Sequence, residues 1–385
     1  MSATEDKKVQ QSPLLEIQRD AGAHFIERDG RFVPAHYGDT RGEYNAVRDQ
    51  ERAGVIDLSP HGLIEVTGAE AEQFLNGLIT NDVKSLAENA WMLAAFPNVH
   101  GRLIALARVM RTGARKFLFD TEAITREAVH KTLARFTLAG DFRVTDLTED
   151  FALISVQGAL SQKIIGAALE GRDIAHVERN QGAQIVWHDQ TLILMRATET
   201  GEDGFDIFVP VAVATEVWRA LEGASAHPVG SDALEILRIE AGLARYGVDM
   251  DETNVVLETG LDEAVSFTKG CYIGQEIIAR IHWRGHVAKR LAGVVFAEKT
   301  DVQRGAKIKN ADGKEIGRIT SSTFSPQLNR TIALAYIKYD YLAPSTQVQV
   351  AAHDEAHHGA QVVALPFVRG SWYKEANASG AEQNR

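Results

Sequence analysis

A single cysteine, Cys271, stands among the 385 residues. That scarcity excludes an intrachain disulfide, and it excludes any metal or cluster site built from several cysteines of one chain. Long apolar runs are missing as well. The longest, such as Trp91 to Phe96 and Phe151 to Val156, fall far short of the roughly 18 to 20 residues of a membrane-spanning helix. The opening MSATEDKKVQQSPLLE mixes acids with its bases and has no apolar core of signal-peptide length, so a reducing cytoplasm is the expected compartment. Positive charge is in deficit, with Lys+Arg 41 against Asp+Glu 52 and a net charge of −11. Wholesale coating of nucleic acid or anionic membrane is thereby excluded, and only a local basic patch is left open. No glycine-rich phosphate loop of the P-loop or dinucleotide type occurs.

What is present is ordinary for a globular chain, 45% hydrophobic and 24% charged, long enough for two to four domains. From Leu63 the order LIEVTG, AEAEQFLNGLI, AWMLAAF, GRLIALARVM, KFLFD and a helical stretch from Glu122 to Phe136 predicts an α+β lobe. Phe74, Leu75, Leu78 and Ile79 give its first helix a one-sided apolar stripe, and Asn98, His100 and Gly101 punctuate a hairpin. A second lobe of similar order starts at Phe151: FALISV, a helix near Ser161 to Leu169, strands around Gln184 to Trp187 and Thr191 to Arg196, FDIFV, a helix from Val211 to Glu222, and another behind Ser231 as N-cap. Trp91, Trp187 and Trp218 fall in apolar patterns and are expected in cores. Beyond Lys289, short strands separated by turns, Asp312-Gly313 among them, read as a small β-barrel.

The densest unusual segment is Lys269 to Arg290, KGCYIGQEIIARIHWRGHVAKR, with five bases against one acid. Gly270 and Gly274 bracket the cysteine, and QEIIARI reads as a helix start. Cys271 is therefore expected just ahead of a helix N-terminus with Lys269 nearby, both favouring thiolate, while a small buried cysteine that fills space is the bland alternative. Two glycines so close suggest a backbone shaped for the approach of a ligand.

KGCYIGQE resembles the signature of the YgfZ-type folate-binding proteins, which are similar to the T-protein, the aminomethyltransferase (GcvT) of the glycine cleavage system. The resemblance extends from about Arg31 to Val368 through AGVIDLSPHGLIEVTGAEAEQFLNGLITNDV, ETGEDGFDIFVP, LRIEAGLARYGVDM and SSTFSPQLNRTIALAYI. It implies an α+β fold with two ferredoxin-like lobes and a C-terminal barrel around a central channel that holds tetrahydrofolate. The implied division is a loose segment 1–30, a folate-binding region 31–286 in which lobe 61–147 is inserted into 31–60 plus 148–286, a barrel 287–370 and a tail 371–385.

Within TGEDGFDIF, Glu202 matches the family's folate-contacting glutamate, and a carboxylate suits adjacent pterin N–H donors. Asp203 is a second candidate, and a solvated GEDG turn is the bland reading. The resemblance further implies Arg238 as a folate contact, Tyr272, Gln275 and Glu276 around the channel, and Cys271 with Lys269 as the reactive pair. Departures from the T-protein pattern accompany it. In NVHGRLIALARVM the family's paired aspartates fall on Ala105 and Leu106, the catalytic one being placed at Ala105, and an arginine that helps hold the folate tail falls on Leu234, while Arg238 and Glu240 are retained.

The expected function is therefore a tetrahydrofolate-binding accessory protein for assembly or repair of iron–sulfur enzymes, including those that modify tRNA, with Cys271 as the key thiol. Its partners would be reduced folate and iron–sulfur enzymes or assembly proteins; contact with tRNA itself or with membrane is not expected, and the chain is expected to be a monomer. The alternative is a folate-dependent one-carbon transferase or demethylase. A bare scaffold that binds no folate is the third reading. His353, His357 and His358 raise a metal site, but between barrel strands no helix aligns them, so no metal is expected. Arg280, Arg284, Lys289 and Arg290 with His282, Trp283 and His286 offer a basic, aromatic surface, for which an acidic partner is as good a match as a nucleic acid.

Overall fold

The computed structural model describes residues 11–373 except 29, 60, 136, 138, 139 and 352–356. Its first lobe is a five-stranded antiparallel sheet in the order Trp91–Pro97, Leu103–Gly113, Lys116–Thr121, Gly62–Thr67, Arg143–Asp146. The second is a six-stranded sheet in the order Gly182–Trp187, Gln190–Arg196, Gly204–Pro210, Phe151–Gln157, Gly54–Asp57, His227–Pro228, antiparallel except at its last pair. Six further strands close a barrel, Lys289–Phe296 pairing with both Arg330–Lys338 and His357–Val363. The expected α+β architecture with a terminal barrel is what the chain adopts.

Strand alternation explains how the lobes meet. In Phe151–Gln157, Ala152, Ile154 and Val156 pack beneath the lobe's helices, while Leu153 points the other way. In Leu103–Gly113, Ala105, Ala107 and Val109 join the helix-side core of the first lobe, and Met110 turns toward Leu153, Ile193 and Phe208 of the second. The two sheets thus share an apolar interface. The same alternation carries Arg108, two residues before Met110, Asp120, two after Leu118, and Asp206, two before Phe208, onto that interface at one end.

The helix Ser231–Glu240 joins the lobes to the barrel. Ala233 and Leu237 enter the inter-sheet core, whereas Ile239 packs on Ile332, Leu334 and Tyr336 of the barrel wall. Ser231 is not its cap. Gly230 holds that position, no side chain caps the helix, and Ser231 is its first residue. The helix expected over Glu122 to Phe136 resolves into a 3-10 turn, Ala123–Thr125, and an α-helix, Arg126–Ala134. Trp187 and Trp218 are in the core as expected, and Trp91 is half-buried with its indole N–H donating to Arg196 O.

Of the two segments expected to be loose, residues 1–10 and 374–385 lie outside the described residues, and the parts that are described are ordered. Residues 15–20 form a helix, Leu14 and Ile17 enter the second lobe's core, and Ser12 and Gln18 donate to Asp57 at 2.6 and 2.8 Å, so burial anchors this segment. At the other end, Ser371–Tyr373 form a 3-10 turn against the Glu202 loop. His357 and His358 open the strand His357–Val363, where successive side chains face opposite ways. His353 lies outside the described residues, among which no metal-binding cluster of three or more His, Cys, Asp or Glu occurs.

Candidate functional site

Where the charged end of the sheet interface meets the helix Ser231–Glu240, the fold leaves a cavity of about 140 Å3. That is the order of size at which a cavity accepts one aromatic ring. Val33, Pro34, Leu58, Val229 and Leu234 give it apolar walls, and His61, Glu122, Glu199 and Arg238 line it with polar groups. Ser231 also lines it, and its hydroxyl is buried without a hydrogen-bond partner.

Behind this wall Arg108 binds three carboxylates. Its Nε donates to Asp120 Oδ2 at 2.6 Å, and its Nη1 donates to Glu199 Oε1 at 2.8 Å and also to Asp206. The second oxygen of Asp120 accepts from His61 Nδ1 at 3.0 Å. Burial raises the Asp120 carboxyl, but Arg108 and His61 outweigh it and bring it down to about 2. Burial opposes charge on His61, yet Asp120, with Glu122 adding, lifts the imidazole to about 9. Glu199 moves up, because burial and the neighbouring Asp206 outweigh Arg108.

These shifts have opposite consequences for stability. His61 is raised above its ordinary 6.5, so its contribution is complete below that value and is lost as pH rises through about 9. Asp120 is depressed below 3.8, so its contribution is complete above that value and is lost as pH falls through about 2. The melting temperature is expected to fall between pH 7 and 9.5 in the wild type, and the fall should be smaller in His61→Gln when both are followed by calorimetry.

Of the residues expected from sequence to be catalytic or to contact folate, the cavity lining contains Arg238 alone, together with Leu234 at the position where the family has a folate-tail arginine. Arg238 is tied to Glu235, to Leu243 O at 3.0 Å, to Asp249 Oδ2 at 2.8 Å and to Ser321 of the barrel at 2.8 Å. Glu202 is buried beside the C-terminal turn. Its Oε1 accepts from Arg48 Nη1 at 2.8 Å, and its Oε2 accepts from the amide and hydroxyl of Ser371, each at 2.7 Å. Arg48 Nη2 donates in turn to Glu240, which also accepts from Tyr44 and Ser325. Asp203 accepts from Arg196 Nε and Nη2 at 3.0 and 2.7 Å.

The cysteine segment sits elsewhere, against the first lobe. Lys269 is buried, its Nζ donates to Ile79 O and Asn81 O at 2.8 and 2.6 Å, and burial lowers it to about 8 although Asp82 pulls the other way. It anchors a loop. Tyr272 is buried in an apolar cluster with Tyr246 and Leu103, and burial pushes its phenol up to about 12. Gln275 closes a turn through Gly270 O at 3.4 Å, and Glu276 is exposed, paired to Arg280 at 3.2 Å. The helix Gln275–Arg284 begins four residues after Cys271, whose side chain is exposed. That exposure answers the space-filling alternative. One thiol per native chain is expected to react with a disulfide reagent such as dithionitrobenzoate without denaturant, and none in Cys271→Ser.

The two positions where the T-protein pattern has aspartates face opposite sides. Ala105 is fully buried in the helix-side core with Phe96 and Val66, whereas Leu106 packs in the cluster of Tyr246 and Tyr272. Position 106, rather than 105, therefore shares the sheet face that carries Arg108 and Met110.

Comparison with known proteins agrees with this architecture. Residues 14–269 match the GCVT N-terminal domain, and residues 289–369 match the glycine cleavage T-protein C-terminal barrel domain. The chain belongs to the glycine cleavage T-protein family. An aminomethyltransferase of Rubrobacter xylanophilus is 32% identical over 94% of this chain and 95% of its own length. Another, of Thermosipho melanesiensis, is 31% identical over 94% and 97%. The crystal structure of the glycine cleavage system aminomethyltransferase T from Bartonella henselae superposes with a TM-score of 0.86 at 24% identity, covering 94% of this chain and 98% of that one, which shows the shared fold. Within this family frame, the residues that sequence reasoning missed are His61, Arg108, Asp120, Glu199 and Asp206. His61 and Glu199 do lie inside conspicuous blocks, DLSPHGLIEV and ETGEDG, but nothing local to those blocks says that they meet.

Proposed function

We propose that this chain binds a reduced folate in the cavity between its lobes and transfers a one-carbon unit between that folate and an amine. The observation that carries this reading is the cavity itself. Apolar walls suit the faces of a flat heterocycle, and Glu199 with the unpartnered Ser231 hydroxyl suits its N–H and C=O edges. Glu199 and Ser231 would hold the ring, with Leu58 and Leu234 against its faces. When bound, a tetrahydrofolate supplies the nucleophilic nitrogens that carry one-carbon units. The family's relatives are named aminomethyltransferases, which supports the reaction class.

A second reading, the YgfZ-type accessory protein for iron–sulfur enzymes, is favoured by one feature: an exposed Cys271 within KGCYIGQE. Leucine where the T-protein pattern has a carboxylate also weakens the aminomethyl reaction in its usual form. The two readings separate in one assay. Isotopically labelled carbon from an aminomethyl-lipoyl carrier protein or an N-methylated amine is expected to appear on tetrahydrofolate with the wild type and with Cys271→Ser, and not with Leu234→Trp, which fills the cavity. Folate binding without any transfer would favour the accessory role.

A further inference from the structure

Resting on the folate reading above, we propose that His61, held by Asp120, is the proton donor of the cavity: its Nε2–H protonates the amine nitrogen that departs when the one-carbon unit is transferred. The geometry is that of an oriented imidazole. Asp120 Oδ1 fixes Nδ1 at 3.0 Å, Arg108 fixes the other Asp120 oxygen at 2.6 Å, and the ring lines the cavity with about a fifth of its side chain exposed. Nε2 faces no closer carboxylate than Glu122, at 3.8 Å.

The other charged groups around the cavity are less suited to the task. Arg28, Arg238 and Arg245 line it but hold their protons permanently. Asp57 has Oδ1 on the Ser59 amide and Oδ2 on Ser12 and Gln18. Glu199 is tied to Arg108, and Asp206 lies behind it, fully buried. His61 therefore combines a ring nitrogen whose nearest carboxylate, Glu122, lies beyond hydrogen-bond reach, a cavity position and a supporting carboxylate. Its raised proton affinity, to about 9, keeps it charged near neutrality. In the step, a folate nitrogen forms the new bond to the one-carbon unit and releases its own proton to solvent, while the departing nitrogen keeps the electron pair of its broken C–N bond and takes the Nε2 proton. His61 becomes neutral, and solvent at the cavity mouth returns the proton. Position 106 carries leucine in this chain and does not line the cavity, so His61 is the acid–base group that the cavity itself presents.

Two readouts test the assignment. The first is the titration of His61 by histidine-labelled NMR, assigned by difference from His61→Gln. It is expected to occur well above 6.5 in the wild type and to fall by more than one pH unit in Asp120→Asn. Identical titrations would overturn the dyad. The second is single-turnover transfer alongside calorimetry with 5-formyltetrahydrofolate. His61→Gln, which can keep a hydrogen bond to Asp120, is expected to bind within about threefold of the wild type yet react on the order of 100-fold more slowly, the lower end of general-acid contributions. If the wild type binds no folate, the folate reading and this role fall together. If both proteins bind and react alike, His61 alone is excluded.

Discussion

Replacing Arg108 with alanine is expected to destabilise the chain by roughly 3–5 kcal/mol, the range for removing one partner of a buried ion network. The reason is the number of carboxylates that one guanidinium compensates. Asp206 is fully buried and Asp120 nearly so, and together with Glu199 they converge on Arg108 where the two sheets meet. Without the cation, at least one acid must take up a proton or water must enter the interface. The loss should therefore shrink as pH falls from 7 to 5, because protonating an acid then costs less. Arg108→Lys keeps the charge but has no planar fork for Asp120 and Glu199 together, so an intermediate loss is expected. Urea unfolding of the three proteins at both pH values checks this. A loss under 1 kcal/mol for alanine would mean that the cluster is already hydrated.

Gly274→Ala is the second large effect, expected at roughly 2–4 kcal/mol from a left-handed backbone plus overpacking. Gly274 has φ 76°, and a Cβ there would lie 2.4 Å from the carbonyl oxygen of Asn98. The glycine lets the start of the helix Gln275–Arg284 sit on the hairpin at residues 98–101, where Gly101 in turn meets Ile277 and Ile278. The damage should be local first: amide exchange across residues 275–284 is expected to accelerate before global unfolding does. Gly270 is the control. A Cβ there meets nothing within 4 Å, so Gly270→Ala should change stability by less than about 0.5 kcal/mol. Equal effects at the two glycines would contradict this packing role.

That contrast shows how far the sequence could be read. KGCYIGQE suggested a backbone shaped for a ligand; in the fold, one of its glycines accommodates a hairpin and the other faces open space. Strands and helices were legible because their periodicity is local: Phe151–Gln157 alternates, and Ser161–Ala168 presents Ile164 and Ile165 to the core. The barrel hairpin at Asp312-Gly313 was legible from turn chemistry, with Gly313 at φ 79°. The charged cluster was not. His61, Arg108, Asp120, Glu199 and Asp206 span 146 positions of sequence, and each looks like an ordinary polar residue on an alternating strand or in a loop. Only the face-to-face stacking of two sheets makes them neighbours. For the same reason Glu202 read as a free carboxylate, since Arg48 and Ser371, which engage it, lie 154 and 169 residues away.

Binding of a reduced folate in the inter-lobe cavity is tested by calorimetric titration with 5-formyltetrahydrofolate. Saturable binding near one equivalent per chain is expected, abolished in Leu234→Trp, whose melting temperature should stay within a few degrees of the wild type. Absence of binding to the wild type, or equal binding to a folded Leu234→Trp, would contradict it.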